Sequence, residues 1–162
     1  MKDMSTKKRA TPANSIHQAE LILKLYELRR ETVMREARSY VGGDFLPLSA
    51  AEFVQIVSAG GKRTGYVLQV YGYWDMVAAF VAHGALDAGL VYDTCQEMYF
   101  QYAKIQPYLA EFRKQVNLPE WLISAERLIE GSKAGRARIR TMQKNLAAMA
   151  NVRAAQPKQP KA

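Results

Sequence analysis

Few residues in this 162-residue chain are equipped for chemistry: His17, His83, Cys95, the carboxylates, and a basic turn flanked by glycines, Gly60-Gly61-Lys62-Arg63-Thr64-Gly65. A helical di-metal site needs two Glu-x-x-His units and two further carboxylates, and neither histidine has Glu three positions before it. His17 and Glu20 can share a helix face, but two ligands do not make a site. There is no His-Glu-x-x-His and no second Cys, so neither a metal nor another cofactor is expected. Cys95 falls on an apolar stripe, which predicts a buried, inert thiol. Asp75 and His83 lie on one helix but project roughly 80° apart at 3.6 residues per turn, so they form no dyad. Gly-x-Ser-x-Gly is absent, and no catalytic residue is assigned. Asp75, beside Trp74 on a largely apolar helix, is the one acid whose surroundings could perturb its proton affinity. The plainer reading is that it caps a neighbouring backbone or pairs with an arginine.

A phosphate-binding P-loop requires Gly, four residues, then Gly-Lys-Ser/Thr. Here Arg63 follows Gly61-Lys62 and Ile56 stands where the first glycine belongs, so the motif fails. A weaker anion-binding reading remains for Lys62, Arg63 and Thr64, in which backbone N–H groups at a helix start act with two cations. Its rival is a solvated helix connector.

The formal net charge of +8 is unevenly placed. Residues 1–13 hold Lys2, Lys7, Lys8 and Arg9 against Asp3, and 132–162 hold eight bases and no acid, while 14–131 are net −3. Basic arms of this kind bind polyanions such as nucleic acid by counterion release, or serve as solubilising tails. On the binding reading Arg136, Arg138, Arg140 and Lys144 are the contacts. A folded nucleic-acid module carries its basic stripe on the fold itself, which this layout does not suggest.

These residues must be positioned by helices. With 49% hydrophobic and 23% charged residues a packed core is available, which excludes a fully disordered chain, a collagen-like repeat and a disulfide-stapled miniprotein. The longest apolar run, Met76 to Ala82, is far short of the roughly 20 residues that cross a bilayer. The N-terminus has no apolar h-region, so the expectation is a cytoplasmic chain without a transmembrane segment. The patterning predicts an all-α bundle of about five helices, three long and two short, over 14–131. Basic, partly disordered termini flank it: an arm over 1–13 and a tail over 132–162, helical to about 155 and disordered beyond.

The first helix is expected over 15–40, opened by Ser15 and Gln18 at capping-box spacing. Its stretch Leu21 to Leu28 is apolar round most of the circumference, so it is either central or covered by a second subunit. A short helix starts after Ser49, again with an acid, Glu52, at capping-box spacing. A third runs over 64–83, and a fourth starts at Asp87 as N-cap. The fourth carries Val91, Cys95, Met98, Tyr102, Ile105, Leu109, Phe112 and Val116 at alternating steps of four and three, with Pro107 expected to kink it. Pro119 suits the first turn of a fifth helix that Gly131 closes. Ile139, Met142, Leu146 and Met149 mark an amphipathic helix in the tail. Seven tyrosines between 66 and 108 are more than one buried face holds, so some either line a contact surface or sit at ordinary boundary positions.

Tyr71-Gly72-Tyr73-Trp74-Asp75, Val81-Ala82-His83-Gly84-Ala85-Leu86-Asp87, Val91-Tyr92, Tyr102, Pro107 and Arg113, with Leu25-Tyr26-Glu27-Leu28-Arg29-Arg30 upstream, form a pattern. It resembles a family of small bacterial all-helical domains of unknown function. Asp75 stands where that pattern has Glu, and Ala103 where it has Trp. The resemblance implies a helical fold and no catalytic residues. The functional expectation is a non-enzymatic protein–protein interaction module with a protein partner or as a homodimer. The alternative is non-sequence-specific nucleic-acid or polyanion binding through the termini.

Overall fold

The computed structural model of the chain describes residues 12–155. Nearly all of the expected N-terminal arm, and the tail beyond 155, lie outside the described residues. Among these there is no strand. The helices are α1 (Pro12–Leu28), α2 (Thr32–Gly43), α3 (Ala50–Ser58), α4 (Gly61–Ala82), α5 (Ala88–Thr94), α6 (Gln96–Ile105), α7 (Leu109–Val116), α8 (Ile123–Glu130) and α9 (Lys133–Ala155), with a 3-10 turn over Gln106–Tyr108. The all-α expectation holds. The expected five helices become more, because two predicted rods are broken.

The rod expected over 15–40 breaks at Arg29–Glu31. There Arg30 N bonds Glu27 O at 2.9 Å in a tightened turn, and Glu31 O restarts the ladder by accepting from Arg35 N at 2.8 Å. No Gly or Pro marks this break. At the break the Arg29 side chain turns inward to an acid on α6. Ser15 and Gln18 do not open the helix, which already starts at Pro12. Gln18 Oε1 instead accepts from Asp87 N at 2.9 Å and ties α1 to the start of α5.

The long stripe of the fourth predicted helix is interrupted twice. At Cys95 (φ −111°, ψ 50°) α5 gives way to α6, beside a Thr94 hydroxyl that bonds back to Leu90 O at 2.7 Å. Such back-bonding bends helices. At Pro107, which has no N–H, the backbone tightens into the 3-10 turn. The stripe survives both breaks: from Val91 to Phe112 all seven positions are buried, and Val116 is half-buried. Pro119 starts no helix. The chain turns through Asn117 and Leu122, both left-handed (φ 54° and 60°), before α8 begins. Ser49 caps α3 by accepting from Glu52 N at 3.1 Å, and Glu52 reaches back to Leu48 N at 2.7 Å rather than to Ser49 itself.

The central element is α4, not the first helix. Val67, Val70, Tyr71, Tyr73, Trp74, Val77 and Ala78 bury nearly half of its circumference, with α2, α3 and α8 packed against it. Phe53 stacks on Phe112 at 4.1 Å between ring centroids, and Trp121 leans on both, closing the α3–α7 side. Each such pair contributes about 0.5–1.5 kcal/mol beyond burial. On the far side α9 packs on α6 and α8, burying Ile139 and Leu146 in the common core.

Of the seven tyrosines between 66 and 108, Tyr71, Tyr73, Tyr99 and Tyr102 are buried, and Tyr66, Tyr92 and Tyr108 sit half-buried at the boundary. Tyr71 and Tyr73 are buried and donate to Gln101 O (2.9 Å) and Leu25 O (2.7 Å), each bridging α4 to another helix. Tyr102 donates to Glu130 at 2.5 Å, and burial raises its pKa. Burial likewise pushes Tyr73 and Tyr99 up to about 12.

Candidate functional site

Where α1 breaks, three helices converge on one carboxylate. Glu97, in the first turn of α6, accepts from Arg29 Nη1 at 3.1 Å and from Arg38 of α2 through Nε at 2.9 Å and Nη2 at 2.5 Å. The Arg29 guanidinium is buried and lies 3.9 Å from the Tyr26 ring centroid and 5.2 Å from that of Trp74. A buried guanidinium needs both charge compensation and flat neighbours, and here it has a carboxylate and two aromatic faces. The Glu97 carboxylate raises the Arg38 pKa further.

Beside this clamp opens a cleft of about 650 Å³ between α1 and the α5–α6 junction, with Leu23 and Tyr26 on its lip and Arg29, Arg38 and Glu97 on its floor. Arg30 lines an adjoining hollow of about 500 Å³ that shares Tyr26 and Arg38. Above the cleft, α1 carries an exposed apolar stripe beside Glu20 and Glu27. Ile16 is 60% exposed, Leu23 64% and Tyr26 48%, and their steps of seven and three keep them in one stripe. Ile22 and Leu25 occupy the inner side and are buried. The first helix is thus apolar on two sides because only one of them is covered. Sequence reasoning saw the surplus in α1 but missed Arg38 and Glu97, which look like ordinary surface charges and carry no spacing signal.

The residues proposed from sequence for anion binding fall inside the first turn of α4. Lys62 pairs with Glu36 at 3.0 Å, and the Tyr66 hydroxyl donates to the same carboxylate, which together hold the Glu36 pKa down. Thr64 donates to Ile56 O at 2.8 Å and Gly60 O at 3.0 Å. Arg63 lies 5.7 Å from the Tyr40 ring centroid. Among the tail residues, Arg138 donates to Tyr92 O with its guanidinium 3.4 Å from the Tyr92 ring centroid, while Arg136 donates to Glu130 O. Arg140 and Lys144 are exposed. His17 and Glu20 do meet, at 3.4 Å on the surface of α1. Asp75 acts as a cap: its Oδ1 accepts from Ala125 N at 2.8 Å and supplies from α4 the N-terminal cap that Leu122 cannot give α8. Burial raises the Cys95 pKa, as its place on the stripe implies. Among the described residues no group of three His, Cys, Asp or Glu could hold a metal, and no helix is long and apolar enough to cross a membrane.

A family described as Domain of unknown function (DUF4760) matches residues 14–132. The chain belongs to this family. No curated protein and no solved structure matches it. Within the matched range, several residues of the pattern read in the sequence hold the fold together: Tyr71 and Tyr73 bridge helices, Asp75 caps α8, Asp87 caps α5, and Arg113 binds Glu126 at 2.7 Å and Trp121 O at 2.8 Å. Two others, Tyr26 and Arg29, line the cleft.

Proposed function

We propose that this DUF4760 chain is a non-enzymatic interaction module that pairs with a second copy of itself through the outer side of α1 and the cleft beside it. The observation that carries this reading is the exposed stripe of Ile16, Leu23 and Tyr26 on a helix whose other side is already seated in the core. Exposed apolar patches of this kind mark contact surfaces. The chemistry of a second copy fits. At 100° per residue, Glu20 and Glu27 run along one edge of the stripe, and the exposed Arg30 lines the hollow that adjoins the cleft. One copy therefore carries both halves of a self-complementary contact, the acids on α1 and the cation at the break that follows it, as a two-fold pair requires. The other chemistry-bearing residues support a non-catalytic role, since Asp75 is a cap and Cys95 a core thiol.

Light scattering on the purified chain at tens of micromolar tests this. A dimer is expected, and Leu23→Glu, at an exposed position, is expected to return it to monomer with an unchanged helical circular-dichroism spectrum. A monomeric wild type at that concentration overturns the reading.

A further inference from the structure

We infer that the solvent side of α9 is a phosphate-binding face for duplex nucleic acid, with Lys133, Arg136, Arg140 and Lys144 as its contacts. Six bases and no acid lie in the 23 residues of this helix. At 100° per residue these four fall within about 80° of the circumference, on the side away from Ile139, Met142 and Leu146. They are all exposed, whereas Ile139 and Leu146 are buried against the bundle. At about 1.5 Å rise per residue the row is roughly 16 Å long, so four cations can follow one phosphate backbone.

The set differs from the one the charge run suggests. Arg138 is turned aside, engaged with Tyr92 O and lying against the Tyr92 and Tyr99 rings, and Lys133 takes its place in the row. Elsewhere in the fold Arg29, Arg38 and Arg113 each meet a carboxylate. Among the described residues none of the four cations on α9 forms an ion pair; Arg136 commits one N–H to Glu130 O and stays exposed. Docked on the bundle, α9 also turns this basic run from a tail into part of the folded surface, which is where nucleic-acid modules carry their charge. A lipid surface is the weaker fit. A helix that lies in the membrane interface buries its apolar side in lipid, and here Ile139 and Leu146 are already in the core.

The contacts are to phosphate, so binding is expected to be steeply salt-dependent and indifferent to base sequence. The experiment is fluorescence anisotropy of a labelled duplex DNA with the full chain and with a Lys133→Gln, Arg140→Gln, Lys144→Gln triple variant. Arg136 is left in place because it bonds the end of α8. At about 0.9 per phosphate contact, the four cations give the wild type a log–log salt slope of about −3.6 or steeper, and the variant's slope is shallower by about 2.7. Raising salt from about 50 to about 200 mM then weakens the wild type roughly 40-fold more than the variant. Equal slopes overturn the inference and place binding in residues other than this row. Absence of wild-type binding at the lower salt overturns it as well. Variant-sensitive binding to phosphatidylserine vesicles without binding to DNA overturns it in favour of a membrane surface. None of these outcomes depends on self-pairing through α1, and the light-scattering result leaves them unchanged.

Discussion

Replacing Lys104 by Met tests how the end of α2 is held. Lys104 on α6 is 4% exposed, and its ammonium donates to Val41 O at 2.5 Å, Phe45 O at 3.2 Å and Gly42 O at 3.3 Å. Val41 and Gly42 sit in the last turn of α2, where carbonyls have no intrahelical donor, and a cation there also meets the negative end of the helix dipole. The Met side chain keeps the length of the stem and removes the donor. Each buried carbonyl left unsatisfied costs about 1–3 kcal/mol, and relief from desolvating an ammonium offsets part of that. The expected net loss is about 2–3 kcal/mol, or roughly 5–10 °C in Tm for a chain of this size. Urea unfolding, followed by far-ultraviolet circular dichroism and by the fluorescence of Trp74 and Trp121, reads the loss as a lower midpoint at unchanged slope. A loss below about 0.5 kcal/mol, or a gain, refutes the capping argument: water would then be reaching those carbonyls, or desolvation would cancel the bonds.

Glu97→Gln keeps the shape of the α1–α2–α6 clamp and removes its charge, leaving the buried Arg29 guanidinium uncompensated. A destabilisation of about 2–4 kcal/mol is expected, with amide exchange in α1 rising more than in α4; uniform exchange across both helices would count against a local clamp. Burial holds Tyr73 and Tyr99 near 12 and raises Tyr71 and Tyr102 as well. For groups raised above their unfolded values, stability is fully present below the unfolded pKa of about 10 and is lost as pH rises through the folded values. Stability should therefore fall between about pH 10 and 12, with the phenolate absorbance of these tyrosines lagging behind that of exposed ones; full ionisation near pH 10 in the folded chain would contradict their burial.

Much of the fold was legible because periodicity reports burial directly. Of the eight stripe positions from Val91 to Val116, seven are buried and Val116 is half-buried, although the backbone beneath them changes helix at Cys95 and again at Pro107. Pro107 announced its break, since it has no N–H to donate. The break at Arg29–Glu31 was silent: no Gly or Pro marks it, and the contact made there, between Arg29 and an acid 68 residues away, leaves no local signal. The candidate cleft was half legible. The apolar surplus of α1 was visible in Leu21 to Leu28, but Arg38 and Glu97 gain meaning only where α2 and α6 meet.

By itself, the sequence determined what local chemistry and spacing can settle: an all-helical chain, Ser49 and Asp87 as caps, a buried Cys95, and a basic C-terminal segment with an amphipathic pattern. Tertiary structure decided which helix is central, where Asp75 places its carboxylate, which side of α1 stays exposed, and which cations of α9 face solvent. The division has one physical reason. Helix periodicity and capping act over three or four residues, whereas the partner of a charge or of an apolar side is set by elements that meet only when the chain has folded.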